Sequence, residues 1–393
     1  MKVLVVTHDG NFSGGANRSL FANIKYLQET YDVEFLVLIP TSKGVLNKKL
    51  DEITVPWISL KYFGVVSGLR HDGKDILRRF KVFLGYYIER FQSKRLEKMI
   101  VNEGIDIVYT NTRLPMIGSN VADALKLPHV IHVREFGTVE PLWGKWNFEA
   151  LNKHSNKIIV ISNALKGQFL ENHVPDGKLF VSHNGIKYDS TPFITNQLDK
   201  DEYHMILTAR LVPDKGHKDA IYAVDKIVKG GLLSKKIVLH IVGSSPKRTH
   251  IEWYEKEIRE LVRNLHLQEY IIFEGEVSNM PGIRSNMDVE LMCAICETFG
   301  RVTVEAMRSG LFVIGTNTGA TPEIVSDGKT GLLYKQGNAE DLANKIIFAL
   351  SEVNRFNLIR ANAYEYATKN FTIEKNCREI LKVLENSSKE GYQ

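Results

Sequence analysis

The chain has 393 residues, 51 Lys and Arg against 46 Asp and Glu, and 44% hydrophobic residues. Such a composition excludes a disordered chain, a collagen-like repeat and a disulfide-stapled miniprotein. At about 100 to 200 residues per domain it calls for two domains, each burying its own core, with a cleft between them. Its three cysteines, Cys293, Cys296 and Cys377, are an odd number without paired spacings, which fits a reducing compartment.

From the amino terminus, Lys2 to His8 is a short β-branched run without the apolar core of a signal peptide. No later stretch approaches the 18 apolar residues of a membrane span, so a soluble, cytoplasmic protein is expected. Phe12-Ser13-Gly14-Gly15-Ala16-Asn17 follows, and a helical pattern opens at Arg18. Adjacent glycines let backbone approach an anion, and a helix N-terminus favours negative charge, so Gly14 and Gly15 can seat a phosphate or an acceptor oxyanion. Taken alone, the pair is more often an ordinary Gly-rich turn.

A second strand is expected at Val33 to Ile39, and then comes a basic stretch. Residues 1–200 carry 26 basic and 20 acidic residues, and residues 61–100 alone hold 10 and 4, so one segment accounts for the whole excess of its half. Within it Leu77, Phe80, Leu84, Tyr87, Ile88 and Phe91 recur at helical spacing, with Arg78, Arg79, Lys81, Arg90, Lys94 and Arg95 largely off that stripe. Two readings stand level: a helix lying on an anionic membrane surface with Arg78, Arg79 and Lys81 towards the lipid, and a helix packed on the first sheet with its charges in water. Nucleic acid is not an expected partner, because no recognised binding module accompanies the charge.

Strands at Ile105 to Thr110, Val130 to Arg134, Lys157 to Ser162 and Leu179 to His183 continue the alternation with helices, the pattern of a doubly wound parallel sheet. In Ile131-His132-Val133-Arg134-Glu135-Phe136, the period of two puts His132 and Arg134 on one face, so either can point at a ligand. A buried histidine bonded to backbone explains His132 equally well. Lys187 to Tyr203 lacks apolar periodicity and reads as a linker. The Asp199-Lys200-Asp201 within it imitates a metal-binding Asp-x-Asp but is read as a solvated turn.

A second series of strands is expected at Met205 to Ala209, Ile237 to Val242, Tyr270 to Phe273, Val289 to Met292, Phe312 to Gly315 and Gly331 to Tyr334. Helical spacing then runs through Ala339 to Leu350, Leu358 to Tyr366 and Glu374 to Leu384. Residues 1–190 thus form one Rossmann-like domain and 203–372 another, with a C-terminal helix and tail at 373–393 expected to pack back towards the first.

Three clusters in the second series can carry chemistry. Leu207 to Gly216 places Arg210 at a strand end and Lys215 just before a helix, two cations at the ligand-binding edge that can neutralise a diphosphate without a metal. In Cys296-Glu297-Thr298-Phe299-Gly300-Arg301-Val302-Thr303-Val304-Glu305, a helix N-terminus with free N–H groups at Thr298 to Arg301 can face a phosphate or sugar while Glu305 takes a ribose diol. Thr318 to Val325 and Asp327 to Leu333 look like walls of the same donor pocket. Cys293-Ala294-Ile295-Cys296 lacks a second ligand pair, so it is read as core packing rather than a zinc site.

Ser13-Gly14-Gly15-Ala16, Arg210 with Lys215, Glu297-x7-Glu305 and Gly319-x2-Pro322-Glu323 together resemble the retaining GT-B glycosyltransferases of glycosyltransferase family 4, the glycosyl transferases group 1, over nearly the whole chain. The resemblance implies an α/β chain of two Rossmann-like domains facing a central cleft. It implies a hexosyltransferase that moves a sugar from a nucleoside-diphosphate donor to a glycan or lipid-linked acceptor in cell-surface polysaccharide or glycoconjugate assembly, with retention and with neither cofactor nor metal. Carried over, it gives Arg210 and Lys215 to the diphosphate, Glu305 to the ribose, Glu297 with the backbone of Thr298, Phe299 and Gly300 to the sugar and phosphates, Gly15 beside Gly14 to the distal phosphate, and Val277 to the nucleobase. Asn17, Asn111 and Glu135 are acceptor-side candidates.

Two positions depart from the family pattern. Ala294 stands where a serine is frequent, and Arg134-Glu135 where a His-Asp pair is frequent, so His132 or Arg134 is expected to take over that role. A nucleotide-sugar epimerase on the same fold, or a silent sugar-nucleotide-binding partner of another transferase, are the competing functions. Peripheral attachment to the inner face of the cell membrane goes with the basic helix.

Overall fold

The computed structural model describes residues 1–12, 14–62, 75–113, 115–137, 144–187, 201–245 and 252–391. Its elements run β1 (Lys2–Val6), α1 (Gly15–Thr30), β2 (Glu34–Ile39), α2 (Val45–Glu52), β3 (Trp57–Ser59), α3 (Asp75–Ile100), β4 (Ile107–Asn111), α4 (Ile117–Leu125), β5 (His129–Val133), α5 (Gly144–Lys153), β6 (Lys157–Val160), α6 (Asn163–Glu171) and β7 (Leu179–Val181). The second series is β8 (Glu202–Thr208), α7 (His217–Gly230), β9 (Lys236–Val242), α8 (Glu252–Asn264), β10 (Ile271–Gly275), α9 (Met280–Arg284), β11 (Val289–Met292), α10 (Arg301–Arg308), β12 (Phe312–Thr316), α11 (Thr321–Ile324), β13 (Leu332–Tyr334), α12 (Ala339–Ser351), α13 (Val353–Asn370) and α14 (Ile373–Glu390). The chain divides into two compact units, Met1–Lys187 with Thr372–Gln393, and Tyr188–Phe371.

The first unit is a seven-stranded sheet in the order β3-β2-β1-β4-β5-β6-β7, with every pairing parallel. A parallel strand covered by helices on both faces has no solvent side, so its sequence is apolar throughout rather than alternating. β1 shows this: Val3 and Val5 pack with Leu20, Ile24 and Leu27 of α1 and Ile380 and Leu384 of α14, while Leu4 and Val6 pack with Leu96, Ile100, Ile117 and Val121. Helix α14 is amphipathic, burying Ile373, Cys377, Ile380 and Leu384, and is capped by the Thr372 hydroxyl accepting from Lys375 N. Asn376 ties it down, its Nδ2 donating to Ser182 Oγ and His183 O.

The second unit is a six-stranded parallel sheet in the order β10-β9-β8-β11-β12-β13. The strand order reverses between β1 and β4 in the first sheet and between β8 and β11 in the second. Such switch points open a crevice at the carboxyl ends of the strands, where doubly wound sheets bind ligands.

The structure corrects two expectations and adds a strand. β8 begins at Glu202, inside the stretch read as linker, because Glu202 and Tyr203 pair with Lys236 and Ile237 of β9 and Glu202 meets Lys236 at 3.2 Å. Most of that linker, with Asp199 and Lys200, lies outside the described residues. The three-residue edge strand β3 is too short for any periodicity to announce it. Cys293 is buried, but Cys296 is exposed and not part of a core.

On α3, Leu84, Tyr87 and Phe91 are 49%, 53% and 64% exposed, and Arg90, Lys94 and Arg95 are exposed beside them. This part of the stripe therefore faces water, not the sheet. The side chains of Leu77, Arg78, Arg79, Phe80 and Lys81 lie outside the described residues. Among the described residues no helix is long and apolar enough to cross a membrane.

Candidate active site

In the second unit the switch point is flanked by the chain leaving β8 and the chain leaving β11. After β8 comes Ala209, then Arg210, which is exposed, and a tight turn that brings Lys215 and Gly216 back to the sheet edge. Gly216 has φ +67, and a Cβ there would lie 1.8 Å from Cys293 O, so only glycine lets this turn touch the end of β11. Ile295 N donates to Asp214 O across the same contact at 2.9 Å.

The loop after β11 is held on its other flank by the turn after β12. Thr316 Oγ1 donates to Ala294 O, Thr318 Oγ1 to Ile295 O, and Ala320 N to Glu297 O, at 3.0, 2.7 and 2.8 Å. Gly319, at φ +58, would carry a Cβ 2.5 Å from Glu297 O and 2.8 Å from Glu297 N. Glu297 is thereby wedged between two turns, and Lys215 Nζ donates to its Oε1 at 2.5 Å. Both side chains remain partly open to solvent. This charge-assisted bond holds an ammonium and a carboxylate together at the mouth of the crevice.

Gly300, at φ +91, starts α10, whose first turn has no side-chain cap. The positive end of the helix dipole lies there and favours an anion. The Phe299 ring is buried edge-on against Phe371, so Phe299 can present only its backbone. Glu305, one turn into α10, is half-buried and held by two guanidiniums, Arg284 Nη1 to Oε2 and Arg301 Nη2 to Oε1, each at 3.3 Å. Val277 is half-buried beyond the end of β10. The second unit thus brings Arg210, Lys215, Glu297, Thr298, Phe299, Gly300, Glu305 and Val277 to the carboxyl end of one sheet.

In the first unit the switch point is flanked by Gly14 and Gly15 after β1 and by Asn111 at the end of β4. Gly15 is the first residue of α1, and a Cβ on Gly14 would meet nothing within 4 Å. Ser13 lies outside the described residues. Asn17 turns inward, its Nδ2 donating to Asp9 Oδ1 at 2.7 Å and Asn11 O at 2.8 Å, so it shapes the loop before α1. Asn111 is buried and accepts from Arg134 Nε at 2.6 Å.

His132 and Arg134 do share a face, but His132 is bonded to a side chain, not to backbone. The Tyr109 hydroxyl stands 2.5 Å and Arg134 Nη2 3.3 Å from its Nδ1. A guanidinium can only donate, which makes Nδ1 an acceptor and puts the ring proton on Nε2. Burial, aided by the Arg134 charge, holds the His132 pKa well below the ordinary histidine range, so the ring is neutral. Its buried Nε2 has no partner among the described residues. Arg134 Nη1 donates to Asn184 Oδ1 at 2.5 Å, and Glu135 accepts from Arg113 N at 3.0 Å while burial raises its carboxyl pKa.

Sequence reasoning missed Tyr109, Asn184, Arg284 and Glu290. One signal was present for Glu290, a carboxylate inside the apolar strand Val289-Glu290-Leu291-Met292 of a parallel sheet, where a charge demands a partner. His217 was also passed over. It is buried at the start of α7 against Tyr254, and burial lowers its pKa to about 4.

Residues 13–190 match the family model Glycosyltransferase Family 4, and residues 191–370 match Glycosyl transferases group 1. The chain is 26% identical over 289 residues to the N-acetyl-alpha-D-glucosaminyl L-malate synthase of Bacillus anthracis, covering 71% of this chain and 68% of that one. It is 28% identical over 202 residues to the capsular polysaccharide biosynthesis glycosyltransferase CapM of Staphylococcus aureus, 48% of this chain and 50% of that one. Among solved structures it superimposes on HepE of Anabaena, crystallised with UDP and glucose, with a TM-score of 0.77 at 20% identity, covering 98% of this chain and all of that one.

Proposed function

Since this chain belongs to glycosyltransferase family 4 and the glycosyl transferases group 1, and is accordingly a GT-B glycosyltransferase, we propose that its second unit binds a nucleoside-diphosphate sugar and its first unit an acceptor. The observation that carries this is the wedge around Glu297. Two glycine turns set the Lys215–Glu297 pair beside the N-terminus of α10, with Arg210 exposed at the neighbouring strand end.

In this reading Arg210, Lys215 and the N–H groups of Thr298 to Arg301 neutralise the diphosphate as its charge grows during bond breaking, the largest service a protein renders to a departing anion. Cations of the chain supply that neutralisation without a metal. Glu297, on the sugar side, orients the hexose and keeps Lys215 in place. Glu305 takes the ribose and the Val277 backbone the base. On the first unit the N–H groups at Gly14 and Gly15, with His132 through its Nε2–H and Arg134 with Glu135, address the acceptor. Retention follows if the leaving diphosphate itself takes the acceptor proton on the face it vacates; no carboxylate nucleophile is assigned.

The name of CapM favours cell-surface polysaccharide assembly. A glycan or lipid-linked acceptor suits that role. The exposed Leu84, Tyr87 and Phe91, with Arg90, Lys94 and Arg95 beside them, suit attachment of α3 to an anionic leaflet, where each basic residue contributes about 1 kcal/mol.

A panel of nucleoside-diphosphate sugars offered with and without glycan and lipid-linked acceptors tests the reading. Acceptor-dependent release of nucleoside diphosphate, with an anomeric configuration in the product matching the donor, is expected. Epimerised donor in the absence of acceptor, or tight binding without turnover of any donor, would replace it with the epimerase or silent-partner function.

A further inference from the structure

Glu290 is fully buried in the middle of β11, where an apolar residue would be the ordinary choice. Removing a carboxylate and a guanidinium from water costs more than packing two apolar side chains of similar size, so a buried pair needs a reason other than stability. Each oxygen of Glu290 has a distinct partner. Oε1 accepts from Thr208 N at 3.1 Å, the last residue of β8 and two before Arg210. Oε2 accepts from Arg284 Nε at 3.2 Å.

Arg284, itself buried on α9, continues outward, its Nη1 donating to Glu305 Oε2. An unbroken line of bonds therefore runs from the strand end that leads to Arg210, through Glu290 and Arg284, to the carboxylate of Glu305. Two carboxylates outweigh burial and keep the Arg284 guanidinium protonated. Arg301 engages the other Glu305 oxygen from the surface.

We propose that Glu290 is a positioning residue for nucleotide recognition: through Arg284 it sets the orientation of the Glu305 carboxylate and ties it to the strand that carries Arg210. A glutamate on a short helix has three rotatable side-chain bonds, and a single surface arginine at 3.3 Å leaves most of that freedom. A guanidinium locked from behind by a second carboxylate does not. Each Glu305 oxygen then has one lone pair engaged and another directed at a ribose hydroxyl. The inference rests on the reading of Glu305 as the ribose ligand.

Calorimetric binding of UDP against 2′-deoxy-UDP, and of GDP against 2′-deoxy-GDP, to the full-length chain separates the two. Wild type should prefer the ribo form of whichever nucleotide binds, and Glu305→Ala should abolish the preference. Glu290→Gln, which keeps the shape and removes the charge, should reduce the preference at least fivefold while leaving 2′-deoxy affinity within about twofold. Arg284→Lys, which keeps the charge but loses the planar fork that reaches Glu290 and Glu305 from separate nitrogens, should do the same and carries the test if Glu290→Gln does not fold. In the Glu305→Ala background, Glu290→Gln should change the preference no further.

Equal losses for the ribo and deoxy forms in Glu290→Gln, or an unchanged preference, would overturn the positioning role. Indifference of wild type to the 2′-hydroxyl, or failure to bind either nucleotide, would instead overturn the reading of Glu305.

Discussion

Gly319→Ala tests whether the wedge around Glu297 matters to catalysis. The substitution has two effects that the structure separates. At φ +58 an alanine pays the left-handed penalty of about 1 to 2 kcal/mol, which in a unit of this size lowers the melting temperature by roughly 2 to 8 °C. The new Cβ would also stand 2.5 Å from Glu297 O and 2.8 Å from Glu297 N, where ordinary contact begins at 3.4 Å. The Glu297 backbone must therefore retreat by 0.9 Å at its oxygen and 0.6 Å at its nitrogen. A displacement near 1 Å in a positioned group costs on the order of a hundredfold in rate, equivalent to about 2.7 kcal/mol of barrier. Gly231→Ala is the matched control: it has φ +56 at the C-cap of α7, with nothing within 4 Å of the new Cβ, so it carries the strain without the clash. Thermal melts and the rate of nucleoside-diphosphate release from the preferred donor are measured on both variants. A larger melting loss for Gly319→Ala than for Gly231→Ala, with a hundredfold lower rate, is expected. A rate for Gly319→Ala within threefold of Gly231→Ala would refute the claim that this loop is held in register for catalysis.

Arg210→Ala and Lys215→Ala should each weaken calorimetric donor binding by about 1.5 to 3 kcal/mol, the worth of one charge-assisted contact, without changing the fold; unchanged affinity in both would remove them from the site. Glu89 on α3 is buried, accepts from Met116 N at 3.0 Å, and has its pKa raised by burial to about 8. Because the folded value lies above the unfolded one, its stabilising contribution is complete below about pH 4.5 and is lost as pH rises through about 8. Glu89→Gln should therefore gain on wild type between urea melts at pH 5 and pH 9, by on the order of 4 kcal/mol at most, and a constant difference would show that the carboxyl is not held protonated. Leu84→Ser with Phe91→Ser should lower cosedimentation with anionic vesicles, and charge reversal at Arg90 and Lys94 should lower it further at low salt than at high; equal binding to neutral vesicles would exclude an electrostatic membrane surface.

Much of the architecture is written locally, because a parallel strand buried on both faces needs an unbroken apolar run and the glycine-rich turns that follow it need no distant partner to be recognised. Val289 to Met292 is read from sequence with the bounds that β11 has, and the two Rossmann-like series, the group 1 family and the cluster from Arg210 to Glu305 are legible in the same way. What local pattern does not carry is the partner of a polar group. Glu202 and Tyr203 look like linker until Lys236 and Ile237 pair with them, and Cys296 looks like core until the loop after β11 turns it to solvent. His132 is neutral because the assembled fold buries it, with the Arg134 charge adding to the effect, its tautomer is set by Tyr109 and Arg134 converging on one nitrogen, and Arg134 is itself held by Asn184, 50 residues away. Period two places His132 and Arg134 on a face, but the strands beside that face decide what they touch. Likewise the residue types of Glu290, Arg284 and Glu305 are visible in the chain, yet the line of bonds joining them exists only once β8, β11, α9 and α10 are assembled around one sheet. Burial makes such bonds compulsory, and burial is a property of the assembled fold.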